Sequence, residues 1–435
     1  MSTPFDRARE LFLAGVAQHQ AGRFADAEAS FTASLGLVPG RASTLSNLGA
    51  ARVRLGRYEA ALEALDGALE REPDDLEALS HRGLALAALG RAAEALACHD
   101  RVLAADARRL PNRIERALLL STLQRPAEAL EELDAVLAAQ PGHAAAWFRR
   151  GEALQQLDRH DEALLSHDRA LALEPTLAQA WSQRGGLLRD LGRRDEAAVC
   201  FEQAITNGGD ADLNGYFLAS VTGRSIPAAA PASYVGRLFD EYAETFEQHL
   251  VEGLNYQVPA RLVECLRALG AARFGSALDL GCGTGLCGPL LRPLAERLVG
   301  LDLSANMLAK ARTLGVYDEL LQGELVEHLR TTSARHDLLL AADTFIYIGD
   351  LAPVFESARR AMASDALFAF SLERADAGVP EFELRPSLRY AHSEGYMRRL
   401  ADQCGFGVRE VRPAPIREEQ GQPVEGLFVI LQRGA

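Results

Sequence analysis

The sequence is poor in lysine, in net positive charge and in long hydrophobic runs. Lys310 is the only lysine among 46 basic residues, and 60 acidic residues give the 435-residue chain a net charge of −14. An acidic surface repels phosphate backbones, which disfavours a nucleic-acid partner. No stretch approaches the ~18–20 consecutive apolar residues of a membrane-spanning helix, and the residues after Met1 lack the basic-then-apolar pattern of a secretory signal. We therefore expect a cytoplasmic protein that does not associate with membranes.

Paired cysteines are also missing. The six cysteines are scattered through the sequence without a CxxC pair. This spacing argues for free thiols in a reducing compartment and against a zinc site, so we expect no bound metal. The remaining composition, 48% hydrophobic and 24% charged, is typical of globular proteins. A chain of this length predicts two or three domains.

A 34-residue period runs through the first half of the sequence. One register carries four prolines and two small residues: Pro39, Pro73, Ala107, Pro141, Pro175 and Gly209. A second register is alanine in all six units: Ala27, Ala61, Ala95, Ala129, Ala163 and Ala197. A third is small throughout: Gly15, Gly49, Gly83, Ala117, Gly151 and Gly185. Small residues let two helices approach closely and proline ends a helix, so the period predicts stacked helix pairs over residues 8–210 rather than an ordinary helical bundle.

The period resembles the tetratricopeptide repeat, a helix–turn–helix unit of 34 residues. The fifth unit matches its pattern at these positions: Trp147, Gly151, Leu154, Ala163, Ala170 and Pro175. The resemblance implies an all-α superhelix of six repeats. It also implies that a protein or peptide binds in the groove of the array, because stacked repeats expose a long continuous surface.

Two charged registers follow the same period. Arginines stand at Arg82, Arg116, Arg150 and Arg184, and acids at Asp66, Asp100, Asp134 and Asp168. The arginines could line the groove and bind acidic groups of a ligand. We instead interpret the two registers as a ladder in which each arginine pairs with the acid of the preceding repeat and fixes the register of the array.

Residues 211–233 are predicted to connect the array to a second domain, residues 234–435. The stretch from Ser225 to Ser233 holds two prolines among small residues, as semi-stiff connectors do. From Tyr234 to Phe246 the apolar residues recur at helical spacing, which predicts an amphipathic helix. This helix either packs on the core or forms a flap over a cofactor pocket, with Tyr242 and His249 nearest the ligand.

A glycine-rich turn follows a short apolar strand in the second half. Glycines at alternate positions 281, 283 and 285 let the backbone turn tightly and approach a ligand. A second strand, residues 298–303, delivers Asp302 23 residues after Asp279, where a carboxylate can accept hydrogen bonds from ribose hydroxyls. The Gly-x-Gly-x-x-Gly pattern of dinucleotide enzymes is not met, because Leu286 stands where its last glycine would be.

Together with a final hairpin expected at residues 406–411 and 424–431, these features resemble the class I S-adenosylmethionine-dependent methyltransferases. The resemblance covers about residues 230–435. It implies an α + α/β protein whose second domain is a seven-stranded Rossmann-like sheet with an antiparallel last strand. It also implies S-adenosylmethionine as cofactor, held by Tyr242, Asp279, Gly281, Cys282, Gly283, Gly285, Asp302, Leu303, Met307, Glu324 and Leu325.

The resemblance also assigns roles within that set. The glycines would surround the methionyl and ribose parts, and Asp279 would support the turn and the ligand amino group. Asp302 would hold the ribose hydroxyls. Met307 would pack near the adenine, and Glu324 would lie beside the adenine amine.

The acceptor side contains few groups that could remove a proton. His392 and Asp343 are the candidate catalytic bases, and Arg389 could bind an acidic acceptor or pair with a carboxylate. Asp343-Thr344-Phe345 lacks the prolines that DNA and RNA base-methylating enzymes carry after the fourth strand, which disfavours such substrates.

The whole chain is similar to predicted bacterial methyltransferases fused to tetratricopeptide repeats. We therefore expect methyl transfer to an oxygen or nitrogen nucleophile of a protein or peptide-linked acceptor, docked by the array. Two alternatives remain open at this point. The acceptor could be a small molecule, with the array used for assembly, or the chain could be a non-catalytic scaffold with a regulatory cofactor site.

Overall fold

The computed structural model describes residues 3–244, 246, 256–270, 273–419 and 421–434. The chain divides into two compact units, Met1–Leu187 and Leu188–Ala435. Among the described residues, no helix combines the length and the apolar character that crossing a lipid bilayer requires.

The repeat pattern folds into consecutive pairs of helices. They are α1 (Pro4–Gln20), α2 (Phe24–Leu37), α3 (Ala42–Arg54), α4 (Tyr58–Leu69), α5 (Leu76–Ala88), α6 (Ala92–Ala105), α7 (Leu110–Thr122), α8 (Pro126–Ala139), α9 (Ala144–Gln156), α10 (His160–Leu173), α11 (Ala178–Asp190) and α12 (Arg194–Thr206). One further helix, α13 (Ala211–Thr222), follows the last pair. The predicted tandem array of helix pairs is confirmed.

Close packing within each pair explains the small registers. All six register alanines are fully buried. A Cβ on Gly49 of α3 would lie 2.4 Å from the Leu65 side chain of α4, and one on Gly83 would lie 2.5 Å from the His99 ring of α6. The small residues of the period therefore mark the positions at which a large side chain of the second helix contacts the backbone of the first.

The arginine ladder is present in the array. In four successive units an arginine Nε donates to an aspartate Oδ1 at 2.7 Å: Arg82 to Asp66, Arg116 to Asp100, Arg150 to Asp134 and Arg184 to Asp168. The ladder interpretation is thus confirmed, and the arginines of this register already have acidic partners. The aspartate side chains are about half exposed, so each pair contributes only ~0–1 kcal/mol to stability.

The segment expected to be a connector contains α13 and is not a linker over residues 211–222. Tyr216 of α13 is fully buried, and its hydroxyl donates to the Leu388 carbonyl at 2.5 Å. The neighbouring Phe217 packs on Phe201 of α12, with ring centroids 5.5 Å apart. Aromatic burial therefore brings the first half of the expected connector, together with α12, into the second compact unit.

The rest of the second unit is a mixed sheet flanked by helices. Its strands are β1 (Phe274–Leu280), β2 (Ala295–Asp302), β3 (Glu319–Gln322), β4 (His336–Ala341), β5 (Met362–Arg374), β6 (Phe382–Leu384), β7 (Tyr390–His392), β8 (Phe406–Glu419) and β9 (Gln422–Arg433). Its helices are α14 (Ala232–Tyr242), α15 (Val258–Ala268), α16 (Gly288–Leu291), α17 (Ala305–Thr313), α18 (Leu325–Thr331), α19 (Ala352–Ala361) and α20 (Glu394–Gln403).

The sheet has the predicted topology with one addition. Strands β3, β2, β1, β4 and β5 pair in parallel in that order. The last strand, β9, is antiparallel to both β5 and β8, which confirms the expected final hairpin. The addition is a short hairpin of β6 and β7, which pairs with the end of β5. Its three-residue strands are too short for an alternating hydrophobic pattern, so the sequence did not predict them.

Buried apolar runs explain the central strands. Leu278 and Leu280 of β1 and Leu338, Leu339 and Leu340 of β4 are fully buried. Strands covered by helices on both faces are apolar on both faces. This rigid centre holds the turns that follow β1, β2 and β4 at one edge of the sheet.

Gly49→Ala tests the packing account of the array. The added methyl group overlaps the buried Leu65 side chain, so we expect a loss of about 1–3 kcal/mol in unfolding free energy. Gly36→Ala in α2 is the matched control, because nothing lies within 4 Å of a Cβ there, and it should be neutral or stabilising by up to about 1 kcal/mol. Equal urea-unfolding midpoints for the two variants would contradict the account.

Candidate functional site

A cavity of about 720 Å³ lies at the carboxyl ends of the parallel strands. Its floor is formed by the turns after four strands: Gly281 and Gly283 after β1, Asp302 and Leu303 after β2, Gly323 to Leu325 after β3, and Ala342 to Thr344 after β4. Open α/β sheets bind ligands at this edge. The volume falls within the ~300–1,000 Å³ of small-molecule sites.

The glycine-rich turn has a tight backbone that excludes side chains. Gly281 has φ +66°, and a Cβ there would lie 2.6 Å from the Thr344 side chain. Gly281 and Gly283 line the cavity, as predicted for ligand contacts. Gly285 and Cys282 do not line it. A Cβ on Gly285 would meet Leu314 at 2.8 Å, so this third glycine makes room for a protein side chain.

Asp302 joins the glycine-rich turn to the end of β2. Its Oδ2 accepts from the Gly283 amide at 2.8 Å and its Oδ1 from the Ser304 amide at 2.9 Å. Burial raises the pKa of Asp302, while these backbone donors lower it. Each carboxylate oxygen can accept a further hydrogen bond, and Asp302 lines the cavity beside Leu303. The geometry thus allows the predicted contact with two hydroxyl groups.

Asp279 lies beneath the turn and does not line the cavity. Its Oδ2 accepts from the Tyr317 hydroxyl at 2.6 Å, and its buried Oδ1 has no hydrogen-bond partner among the described residues. Burial raises its pKa to about 7, whereas the Tyr317 hydroxyl lowers it. The Tyr317 ring occupies the space that a Cβ would need at Gly288 or Gly300, at 2.8 Å and 3.1 Å. No spacing in the sequence pointed to Tyr317.

The end of the cavity expected to hold adenine differs from prediction at two residues. Glu324 lines the cavity, but its carboxylate caps α18 by accepting from the amides of Val326 and Glu327. Leu325 lines the cavity beside it. Met307 was expected near the adenine, but it is fully buried and does not line the cavity. It lies on the inward face of α17, where its side chain belongs to the core.

Helix α14 forms one wall of the cavity, which supports its interpretation as a cover. Val235, Leu238, Phe239 and Tyr242 of this helix line the cavity. The Phe239 ring packs edge-on against Tyr347, with centroids 5.5 Å apart. The other residue expected near the ligand, His249, lies outside the described residues.

The far end of the cavity carries a buried ionic network. Arg417 is 1% exposed and donates to Glu373 at 2.6 Å and to Glu419 at 2.8 Å. It also lies 3.3 Å from the Asp343 carboxylate. Burial raises the pKa of Asp343, and the Arg417 guanidinium opposes that shift. Arg389 lines the cavity and pairs with Glu419, so both interpretations of this arginine stay open.

Comparison with known proteins agrees with this architecture. Residues 278–370 match the family described as methyltransferase domain. Residues 18–81, 114–178 and 178–207 match families described as tetratricopeptide repeat. The chain carries a methyltransferase domain and tetratricopeptide repeats.

Two curated relatives share part of the sequence. The malonyl-[acyl-carrier protein] O-methyltransferase of Enterobacter lignolyticus is 30% identical over 148 residues, which cover 34% of this chain and 56% of that protein. The protein of the same name from Geobacter sulfurreducens is 36% identical over 102 residues, 22% of this chain and 37% of that protein. The chain thus spans about half or less of the length of these relatives.

A solved tetratricopeptide repeat protein from Parabacteroides merdae aligns with a TM-score of 0.43 and 21% identity. That alignment covers 49% of this chain and 84% of the other.

His392 is not placed to act as a base in the methyltransferase domain. The residue is fully buried and does not line the cavity. Its Nε2 lies 2.9 Å and 3.0 Å from the carbonyl oxygens of Ile348 and Gly349, so this nitrogen carries the proton and donates. Burial lowers its pKa to about 4. His392 holds the chain after β4, and its prediction as a catalytic base is wrong.

Asp343 does lie in the cavity, so its role in catalysis stays a prediction. Its backbone has φ +56°, and its amide donates to the Ser371 hydroxyl at 2.8 Å. Its partner Arg417 could not be predicted from the sequence, because an arginine in β8 matches no motif. Within the described ranges, no group of three or more His, Cys, Asp or Glu side chains is placed to hold a metal ion.

Asp279→Asn tests whether ionisation of the buried Asp279 carboxyl, whose Oδ1 has no hydrogen-bond partner among the described residues, destabilises the fold. Because its pKa is raised to about 7, the folded state keeps a proton that the unfolded chain loses near pH 4. Unfolding free energy therefore falls as the pH rises from about 4 to 7, and Asn removes this loss. We expect Asp279→Asn to raise the Tm more at pH 8 than at pH 4.5.

Asp318→Asn is the control with the opposite sign. The Leu298 amide and Arg292 lower the pKa of Asp318, so its carboxylate stabilises the fold at neutral pH and its loss should lower the Tm at pH 8. A lower Tm for Asp279→Asn at pH 8 would contradict the assignment.

Proposed function

We propose that the methyltransferase domain transfers a methyl group from S-adenosylmethionine to an oxygen nucleophile of an acidic acceptor carried by a protein. The observation that carries the proposal is the cavity at the strand ends, where the glycine-rich turn and Asp302 meet. The residues on its floor suit a cofactor with ribose hydroxyl groups, and the far end holds arginines.

The cofactor end fits S-adenosylmethionine on two observations. Gly281 and Gly283 have no side chain between the backbone and the cavity floor, so a ligand can approach the backbone closely. Asp302 is held by two amides in an orientation that leaves acceptor capacity toward the cavity. When bound, S-adenosylmethionine supplies a methyl group on a positively charged sulfur. The domain then has to orient the acceptor in line and exclude water.

A carboxylate oxygen fits the acceptor end better than an amine or an alcohol. Amines and alcohols must lose a proton during methyl transfer, so they need a base. His392 is buried outside the cavity, and the Asp343 carboxylate faces Arg417. A carboxylic acid is already ionised at neutral pH, so it needs no base. Arg389 lines the cavity and is 25% exposed, so its guanidinium can pair with such a group in place of Glu419.

The proposal that a protein carries the acceptor rests on the repeats and on the relatives. Repeat arrays offer extended surfaces for other chains, and the relatives' names specify a malonyl group on acyl-carrier protein. By similarity, we propose an acid held on a carrier or partner protein that the array docks. None of the six cysteines forms a disulfide with another described residue, which fits the reducing cytoplasm as the location.

Calorimetric titration with S-adenosylmethionine tests the cofactor end. The wild-type chain should bind, and Asp302→Asn should weaken binding about tenfold or more, because an amide cannot replace both charged acceptor oxygens. Glu319→Gln on neighbouring β3 is the matched control, since Glu319 pairs with Arg297 and does not line the cavity. Absence of binding heat in the wild type would overturn the proposed function.

Transfer of a labelled methyl group tests the acceptor. We expect the full chain to methylate a malonyl group on acyl-carrier protein with a KM at least about tenfold below that of a small soluble malonyl thioester, because only the protein-bound form gains docking contacts. Equal KM values for the two forms would favour a small-molecule acceptor. Labelling of neither form, with S-adenosylmethionine binding intact, would exclude a malonyl acid as the acceptor.

A further inference from the structure

The tight turn between β6 and β7 places Arg389 in the cavity. Two backbone hydrogen bonds close the turn, from the Arg385 amide to the Arg389 carbonyl at 2.9 Å and from the Leu388 amide to the Arg385 carbonyl at 2.8 Å. Arg389 follows directly and lines the cavity at its far end. The direction of this side chain therefore depends on the backbone conformation of the turn.

That conformation is strained at Leu388. Its φ is +62°, in the left-handed region that bulky residues rarely adopt. Such strain persists only where surrounding contacts enforce it, and strained residues cluster at binding sites. Leucine has no local preference for this conformation, unlike glycine or asparagine. The contacts that hold Leu388 therefore decide where Arg389 points.

Tyr216 of α13 makes the contact that holds Leu388. It is fully buried, and its hydroxyl donates to the Leu388 carbonyl at 2.5 Å. The Leu388 side chain packs in the same buried cluster as Tyr216 and Tyr390. On the other side of the turn, the Tyr390 hydroxyl donates to the Pro227 carbonyl at 2.9 Å. A helix 172 residues earlier in the sequence thus fixes the turn that carries Arg389.

Helix α13 is itself held by the last helix of the repeat pattern. Phe217, next to Tyr216, packs against Phe201 of α12, and the Arg189 guanidinium lies 5.5 Å from the Phe217 ring centre. Tyr216 and Phe217 therefore face two different neighbours from one turn of helix. A continuous packed path joins α12 to the strained turn within the second unit.

We infer that Tyr216 is a positioning residue for the acceptor end of the methyltransferase cavity. Its hydroxyl holds the Leu388 carbonyl, which keeps the turn left-handed and directs Arg389 toward the acceptor acid. The inference rests on the proposed function, because Arg389 acts only if an acidic acceptor enters the cavity. It assigns α13, which lies outside the matched methyltransferase residues, to the specificity of the site.

Tyr216→Phe tests the inference in the full chain, because it removes one hydroxyl and keeps the buried ring. Tyr234→Phe is the matched control. The Tyr234 ring lies 5.8 Å from Tyr216 in the same aromatic cluster, and its hydroxyl has no hydrogen bond to the described residues. Hydrogen exchange of the peptide covering residues 385–392 should be about tenfold faster in Tyr216→Phe and unchanged in Tyr234→Phe.

The kinetics of methyl transfer give the second readout. In Tyr216→Phe the KM for malonyl-acyl-carrier protein should rise about tenfold, with kcat and the affinity for S-adenosylmethionine kept, because only acceptor binding depends on Arg389. Equal exchange in all three proteins, or equal loss of cofactor affinity and acceptor affinity in Tyr216→Phe, would overturn the inference. Failure of the wild type to bind S-adenosylmethionine would instead overturn the proposed function, and the exchange comparison would still decide whether Tyr216 holds the turn.

Discussion

Both units depend on close approach of backbone and side chain at positions where a Cβ would overlap a neighbour. In the array, a Cβ on Gly49 would lie 2.4 Å from Leu65, and the helices of that pair could not keep their spacing. In the sheet, a Cβ on Gly281 would lie 2.6 Å from Thr344. The same constraint has two results. In the array it sets the register of repeating helices, and in the sheet it brings the ends of β1 and β4 together beneath the cavity.

The same constraint explains how much the sequence could predict. Glycines and alanines at a fixed period mark helix contacts, and alternate glycines after an apolar strand mark a tight turn. Both features are local or periodic, so the array and the placement of Gly281, Gly283 and Asp302 at the cavity could be predicted, whereas the arrangement of the sheet was expected only from the resemblance to methyltransferases. The tyrosine beneath the turn could not, because Tyr317 meets Gly288 and Gly300 only after folding. The prediction of His392 as a base was wrong for the same reason, because nothing in the local sequence shows that this histidine is buried.

The ionic network at the far end is hard to explain by stability alone. Arg417 and Glu373 are 1% and 3% exposed, and burying an ion pair gains little over a well-packed apolar pair of the same volume. Removing one partner leaves an unpaired buried charge, which costs about 3–5 kcal/mol. A substitution at Arg417 would therefore mix unfolding with loss of activity. Arg389 is 25% exposed at the edge of this network, so exchanging its partner Glu419 for the acceptor acid proposed above would cost less.

The two ends of the cavity are formed by different parts of the sequence. The matched methyltransferase residues, 278–370, include the glycine-rich turn, Asp302 and Asp343. They exclude Arg389 and Arg417 at the far end, and also α14, which forms one wall of the cavity. The matched range therefore covers the glycine-rich turn, Asp302 and Asp343, and leaves out the two arginines of the far end. Under the proposed function, the arginines that would contact the acceptor, Arg389 and Arg417, lie after the matched range. If Tyr216 positions Arg389 as we infer, acceptor choice depends on α13 as well as on the methyltransferase sheet.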